Sequence, residues 1–184
     1  MPTIFTHAVV PAAIALGLGK KAIPRPLLYA GMILSVFPDA DCGTFAMGIA
    51  YESQFGHRGF MHSLVFAAAM AGLWTWRNME FNVDGNTVKR WVVFAYLFVS
   101  MASHGLLDML TDGGKGVALF WPFLDERLFF PATPISVSNI GLSFLSERSI
   151  GVLKDEFVVI WLPCLVLGGV AFGLRHLLMK EKKA

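Results

Sequence analysis

The chain has 184 residues, of which 55% are apolar and only 15% charged, far below the roughly 25% charged content of an ordinary soluble domain. This excludes a simple water-soluble globule and suits one small bundle of membrane helices, each using about 20 residues to cross. A net charge of +2 gives no basis for nucleic-acid binding, and the two distant cysteines, Cys42 and Cys164, form neither a C-x-x-C metal site nor a disulfide framework.

Residues 1–19 contain no Lys, Arg, Asp or Glu. Lacking the basic leading segment of a secretory signal, they predict an uncleaved first helix. A basic break with Lys20, Lys21 and Arg25 precedes a short second apolar run, Leu27 to Phe37, which stops at Pro38-Asp39. After a mixed, glycine-bearing stretch, Phe60 to Trp76 predicts a third helix opening on His62 and Ser63, and residues 77–90 make a polar connection. The fourth apolar segment, Trp91 to Leu110, carries His104 and Asp108, residues that a lipid-facing helix would exclude. Residues 111–155, rich in Gly, Pro and Ser, read as a non-spanning interfacial lid with the aromatic pairs Phe120-Trp121 and Phe129-Phe130. Phe157 to Met179 predicts the last span, before a basic tail. The expectation is an all-α polytopic membrane bundle of about five transmembrane helices forming one domain over residues 1–184.

Five spans sort the connections onto two sides. One side, with residues 20–25, 77–90 and the C-terminal tail, holds ten of the fifteen basic residues and is therefore expected to be cytoplasmic. The opposite side holds His7, His57, His62 and His104, with ten of the thirteen acids. Loop decoration would scatter histidines over both faces and would not place His7, His62, His104 and Asp108 in or at the ends of apolar segments.

His104 and Asp108, four apart, share one helix face as ligands to a common metal must. Asp39 and Asp41 in P-D-A-D can hold one hard cation or bridge two; read alone, they are also an ordinary helix stop. In His57-Arg58-Gly59-Phe60-Met61-His62-Ser63, Gly59 permits a tight helix entry with both imidazoles at one end. His7 is the loneliest candidate, and Glu156 is a weaker one still, which beside Asp155 also reads as an interfacial acid. Four imidazoles and three or four carboxylates exceed the needs of one four-coordinate zinc. Two or more divalent ions, or one ion with acid-base residues, are therefore expected, and the oxygen-and-nitrogen ligands suit zinc or manganese. The expected metal ligands are His7, Asp39, Asp41, His57, His62, His104 and Asp108. The expected catalytic residues are Asp41, to steer or deprotonate a water, and Arg58, as a bidentate clamp on phosphate.

His7, F-P-D-A-D at 37–41, G-H-R-G-F-M-H-S at 56–63, S-H-G-L-L-D-M-L-T at 103–111 and L-F-W-P at 119–122 occur in that order. Over roughly residues 1–125 the chain thereby resembles the YdjM-type family of bacterial inner-membrane proteins assigned as metal-dependent hydrolases. More distantly, it is similar to the zinc-dependent phospholipase C and single-strand nuclease superfamily, which cleaves phosphodiesters. That likeness implies ligands at His7, Asp39 or Asp41, His57 or His62, His104 and Asp108. It departs at the superfamily's later H-x-x-x-E, for which Glu156 is the remaining acid. The expected function is hydrolysis of a phosphoester of a membrane lipid or lipid-linked head group on the periplasmic side of the inner membrane, with the C-terminus cytoplasmic. The competing readings are a metal or proton transporter and a membrane scaffold with a structural metal.

Overall fold

The computed structural model describes residues 1–78, 81–83, 85–137 and 147–181. Helices α1 (Ile4–Leu18), α2 (Arg25–Val36), α3 (Leu64–Arg77) and α4 (Arg90–Asp108) form a bundle; α5 (Glu147–Glu156) and α6 (Leu162–Glu181) join through one π turn, Phe157–Trp161. Ser149–Lys180 is thus one continuous helix, the fifth. A small antiparallel hairpin, β1 (Phe81–Val83) with β2 (Asn86–Val88), occupies the polar connection between α3 and α4.

The all-α expectation holds apart from that hairpin, whereas the span count is narrower than the apolar runs imply. Among the described residues, two helices are long and apolar enough to cross a membrane, Arg90–Asp108 and Ser149–Lys180. At about 1.5 Å per residue, the 15, 12 and 14 residues of α1, α2 and α3 reach only roughly 18–22 Å, less than a hydrocarbon core of about 30 Å. The last helix also begins ten residues earlier than its apolar run, because the polar segment Glu147–Glu156 is already helical.

Helix α4 is the central post, packed on α1, α2 and α3, with Leu27, Ala67, Ala71, Val93, Leu97 and Met101 filling the core between them. Helix α6 lies outside, against α1, and presents residues such as Leu167, Val170 and Leu174 outward. The α1–α6 contact depends on small residues: a Cβ at Gly168 would stand 2.9 Å from the Ala13 carbonyl, the close backbone approach that membrane helices use.

Two local features aim the chain at one end of this bundle. Pro38 has no N–H to continue α2, and the backbone tightens into a 3-10 segment, Phe37–Met47. Farther on, Ser63 caps α3, its Oγ accepting from Phe66 N at 3.1 Å, a cap worth about 1 kcal/mol. The described part of the long connection, residues 111–137, closes over this end as a pinned strap. Leu64 N donates to Leu119 O, Ala118 N to Arg58 O and Asp112 N to Ile135 O, each at 3.0 Å.

Candidate metal centre

Every residue expected at the site lies at the end where α1 begins and α4 finishes. His7 comes from the first turns of α1, Asp39 and Asp41 from the 3-10 segment after α2, and His57 and Arg58 from the loop before α3. His62 comes from the 3-10 turn Phe60–His62, and His104 and Asp108 from the last turns of α4. A Cβ at position 105 would sit 2.7 Å from the His62 carbonyl, so Gly105 lets the 3-10 turn press against α4 and brings His62 beside His104.

At the centre, His104 Nε2 stands 3.0 Å from His62 Nε2 and 3.3 Å from Asp39 Oδ1. His62 Nε2 is also 3.4 Å from Asp108 Oδ2 and 3.8 Å from Asp39 Oδ1. His7 stacks on His104 with ring centroids 3.8 Å apart, and its Nε2 faces Asp108 Oδ1 at 3.8 Å. Ligand atoms held about 2.0–2.2 Å from a tetrahedral cation stand roughly 3.3–3.6 Å from one another, and these separations bracket that range.

The hydrogen-bond account leads to the same place. Both ring nitrogens of His7 and all four carboxylate oxygens of Asp39 and Asp108 are buried without a hydrogen-bond partner, whereas buried polar atoms are nearly always satisfied. His104 shows why its lone pair is free: Nδ1 donates to the Ser35 carbonyl at 2.7 Å, which fixes the tautomer and turns Nε2 inward. The donor set therefore fits a divalent cation, and Asp39, His62, His104 and Asp108 form a group able to hold one.

Asp41 faces away from that group and ties the shell together. It accepts from His57 Nδ1 at 2.6 Å and from Arg58 N at 3.0 Å, and its Oδ2 lies 3.1 Å from His62 Nδ1, off the line of a good hydrogen bond. Asp39, Asp41, Cys42 and His57 make a second group able to hold a metal. Burial favours protonation of Asp41, but the hydrogen bond from His57 and the close His62 imidazole prevail and hold its pKa below the ordinary carboxylate value. Burial likewise opposes a charged His62, yet Asp108, Asp39 and Asp41 around it push its pKa well above that of free imidazole. Burial, with these carboxylates, raises the Cys42 thiol to about 12, so it stays protonated at neutral pH and is a poor ligand by default.

Arg58 adopts a left-handed backbone, φ 61°, unusual for a residue with a side chain. Its N–H is held by Asp41 and its carbonyl by Ala118. The buried guanidinium points into the protein. Nε lies 3.0 Å from Asp108 Oδ2, while the terminal nitrogens donate to Gly113 O at 2.8 Å and Thr111 Oγ1 at 2.9 Å.

Glu156 is fully buried but does not join the ligands. Oε1 accepts from Thr3 N at 2.5 Å, and Oε2 accepts from the hydroxyls of Thr3 and Thr6, each at 2.6 Å. It anchors the start of α1, one turn ahead of His7. Ser35, Thr111 and the Thr3–Thr6 pair were absent from the expected site. Their local sequence carries no signal, because each acts through a contact distant in sequence.

Residues 1–176 match the family model described as YdjM inner membrane protein. The chain belongs to that family. It is also similar to the inner membrane protein YbcI of Escherichia coli (strain K12), 44% identical over 177 residues that cover 96% of this chain and 100% of the other. No solved structure matches it. The family places the chain in an inner membrane, so the apolar outer faces of its helices meet lipid. It is a membrane protein with two clustered sets of histidine, aspartate and cysteine ligands able to bind a divalent metal.

Proposed function

We propose that this protein is a membrane-embedded, metal-dependent hydrolase of a phosphoester carried by a membrane lipid or lipid-linked molecule, working at the periplasmic face. The observation that carries the reading is the convergence of His62, His104, Asp39 and Asp108 on one buried point, where the carboxylate oxygens of Asp39 and Asp108 have no hydrogen-bond partner and the two imidazoles face each other through Nε2. When bound there, a zinc or manganese ion supplies Lewis acidity to a phosphoryl oxygen and acidifies a water. His7 completes the ligand wall beside Asp108.

The protein's own groups then have separable tasks. Asp41 orients His57 and His62, and Arg58 holds Asp108 in place. Their inward placement favours positioning roles over the direct steering and phosphate-clamp roles suggested by sequence. Asp39, whose carboxylate oxygens are buried but whose side chain is 11% exposed against none for His62, His104 and Asp108, marks the edge of the centre nearest the surface. A groove of about 610 Å³ between α1 and α2 leads to it, walled by Ile4, Ala8, Ile33, Val36 and Phe37. This groove gives a lipid chain an apolar bed beside the centre, which is what favours a lipid substrate over a soluble one.

The test is metal content of the detergent-purified protein, followed by phosphoester turnover. Wild type should carry stoichiometric zinc or manganese, and His104→Ala should lose both metal and turnover. A metal-free wild type, even after supplementation, would overturn the reading. Asp41→Asn should keep the centre but weaken it, with metal affinity falling roughly 10–100-fold as expected for an orienting carboxylate. Chelator competition would read this, and an unchanged affinity would remove Asp41 from the shell.

A further inference from the structure

A second feature lies at the opposite end of α1, roughly 18 Å along the helix axis from His7. A cavity of about 570 Å³ opens where α1 ends, α2 begins and α6 passes. Lys20, Lys21, Arg25 and Arg175 line it, and among the described residues no acid lines it. Its other walls are apolar, with Leu16, Leu28 and Phe172 among them. An adjoining cavity of about 530 Å³ shares Lys20, Lys21 and Arg25.

Arg175 is held in place there. Its guanidinium donates to the Gly17 carbonyl at 3.0 Å, satisfying a free carbonyl at the end of α1, and stacks on Phe172 at 5.3 Å. Lys20, Lys21 and Arg25 are exposed, and among the described residues none of them is paired with a carboxylate within 4 Å. The site is thus cationic at its rim and apolar along its wall. Basic pockets between membrane helices attract anionic headgroups, at about 1 kcal/mol per Lys or Arg near the surface.

We propose that this cavity is a binding site for one anionic phospholipid. The phosphate would be seated among Lys20, Lys21, Arg25 and Arg175, and an acyl chain would lie along Leu16, Leu28 and Phe172. The site is separate from the metal centre and stands whether or not that centre hydrolyses anything.

The experiment is native mass spectrometry of the full chain released from detergent, titrated with phosphatidylglycerol, phosphatidylcholine or inorganic phosphate. Wild type should bind phosphatidylglycerol about tenfold or more tighter than phosphatidylcholine. The triple variant Lys20→Gln, Lys21→Gln, Arg25→Gln should lose that preference, with an unchanged thermal unfolding transition in detergent as evidence of folding. A Lys89→Gln, Arg90→Gln control removes two basic residues outside the cavity and should keep the preference. Equal binding of the two lipids, or equal loss in the control, would overturn the proposal by reducing it to a general attraction between basic loops and the membrane. Displacement of phosphatidylglycerol by millimolar inorganic phosphate would overturn it in favour of a free-anion site. If the triple variant does not fold, the single Lys21→Gln, at an exposed side chain, should still lower the preference measurably, and no change there would count against the proposal.

Discussion

Asp108→Ala is expected to empty the metal centre and, separately, to destabilise the protein by about 3–5 kcal/mol. The loss of metal follows from removing a ligand whose two oxygens face His62 and His7. The loss of stability has another source. Arg58 is 1% exposed, and Asp108 is the carboxylate beside it, 3.0 Å from Nε. Removing one partner of a buried pair strands the other charge, whereas replacing both with apolar groups is often nearly neutral. The double variant Arg58→Leu, Asp108→Leu should therefore recover much of the stability while remaining metal-free. Thermal unfolding in detergent and elemental analysis would separate the two effects. A single variant that retained its metal would sink the assignment of Asp108, and a double variant no more stable than the single would sink the stranded-charge explanation.

Glu156→Ala is expected to be nearly as damaging although it touches no ligand. The carboxylate accepts three hydrogen bonds from Thr3 and Thr6, across 150 to 153 positions of sequence. Hydrogen bonds to a charged group contribute about 1.5–3 kcal/mol each, so a loss of about 3 kcal/mol or more is expected. The negative charge also sits at the α1 N-terminus, where the helix dipole favours it. With the start of α1 released, His7 should drift from Asp108 and metal affinity should fall at least about tenfold, the lower bound for a supporting group. Asp155→Ala, one residue away and bonded only to Ser136 Oγ at 3.0 Å among the described residues, should cost under about 1 kcal/mol. An unchanged metal affinity in Glu156→Ala would show that α1 is positioned by something else.

These two residues also mark where sequence reading succeeds and where it stops. The spacing of His104 and Asp108 on an apolar segment was enough to place them on one buried face, because helix periodicity is local. His7 could be suspected only because an imidazole is out of place among apolar residues. Asp39 and Asp41 could not be told apart, since the 3-10 geometry that turns one toward His104 and the other toward His57 is not written in P-D-A-D. Arg58 looked like an outward clamp, and its left-handed backbone and inward guanidinium arise from partners at 41, 108, 111 and 118. Glu156 looked like an interfacial acid because its partners lie at the far end of the chain. The fold shows the same division. Five helices were readable from apolar runs, and the short α2 was found close to its expected bounds, but the polar segment Glu147–Glu156 that extends the fifth helix carried no apolar signal. The parallel bridge of Thr111 to Ile135 that pins the strap lay in a stretch with no periodicity to read; residues 138–146 of that stretch lie outside the described residues.

The guanidinium packed against Asp108 has one more consequence, for charge balance. Among the described side chains that touch the imidazoles or their ligand carboxylates, Asp39, Asp41 and Asp108 are acidic and Arg58, against Asp108, is basic. With the imidazoles neutral, as metal ligation requires, these four side chains alone carry two net negative charges in a region nearly closed to water. One divalent ion would match the charge of these side chains, whereas a monovalent ion would leave a deficit. A second divalent ion creates an excess that only an incoming anion can offset, so a doubly loaded centre would draw in a phosphate group by electrostatics alone, with no dedicated basic side chain facing the groove.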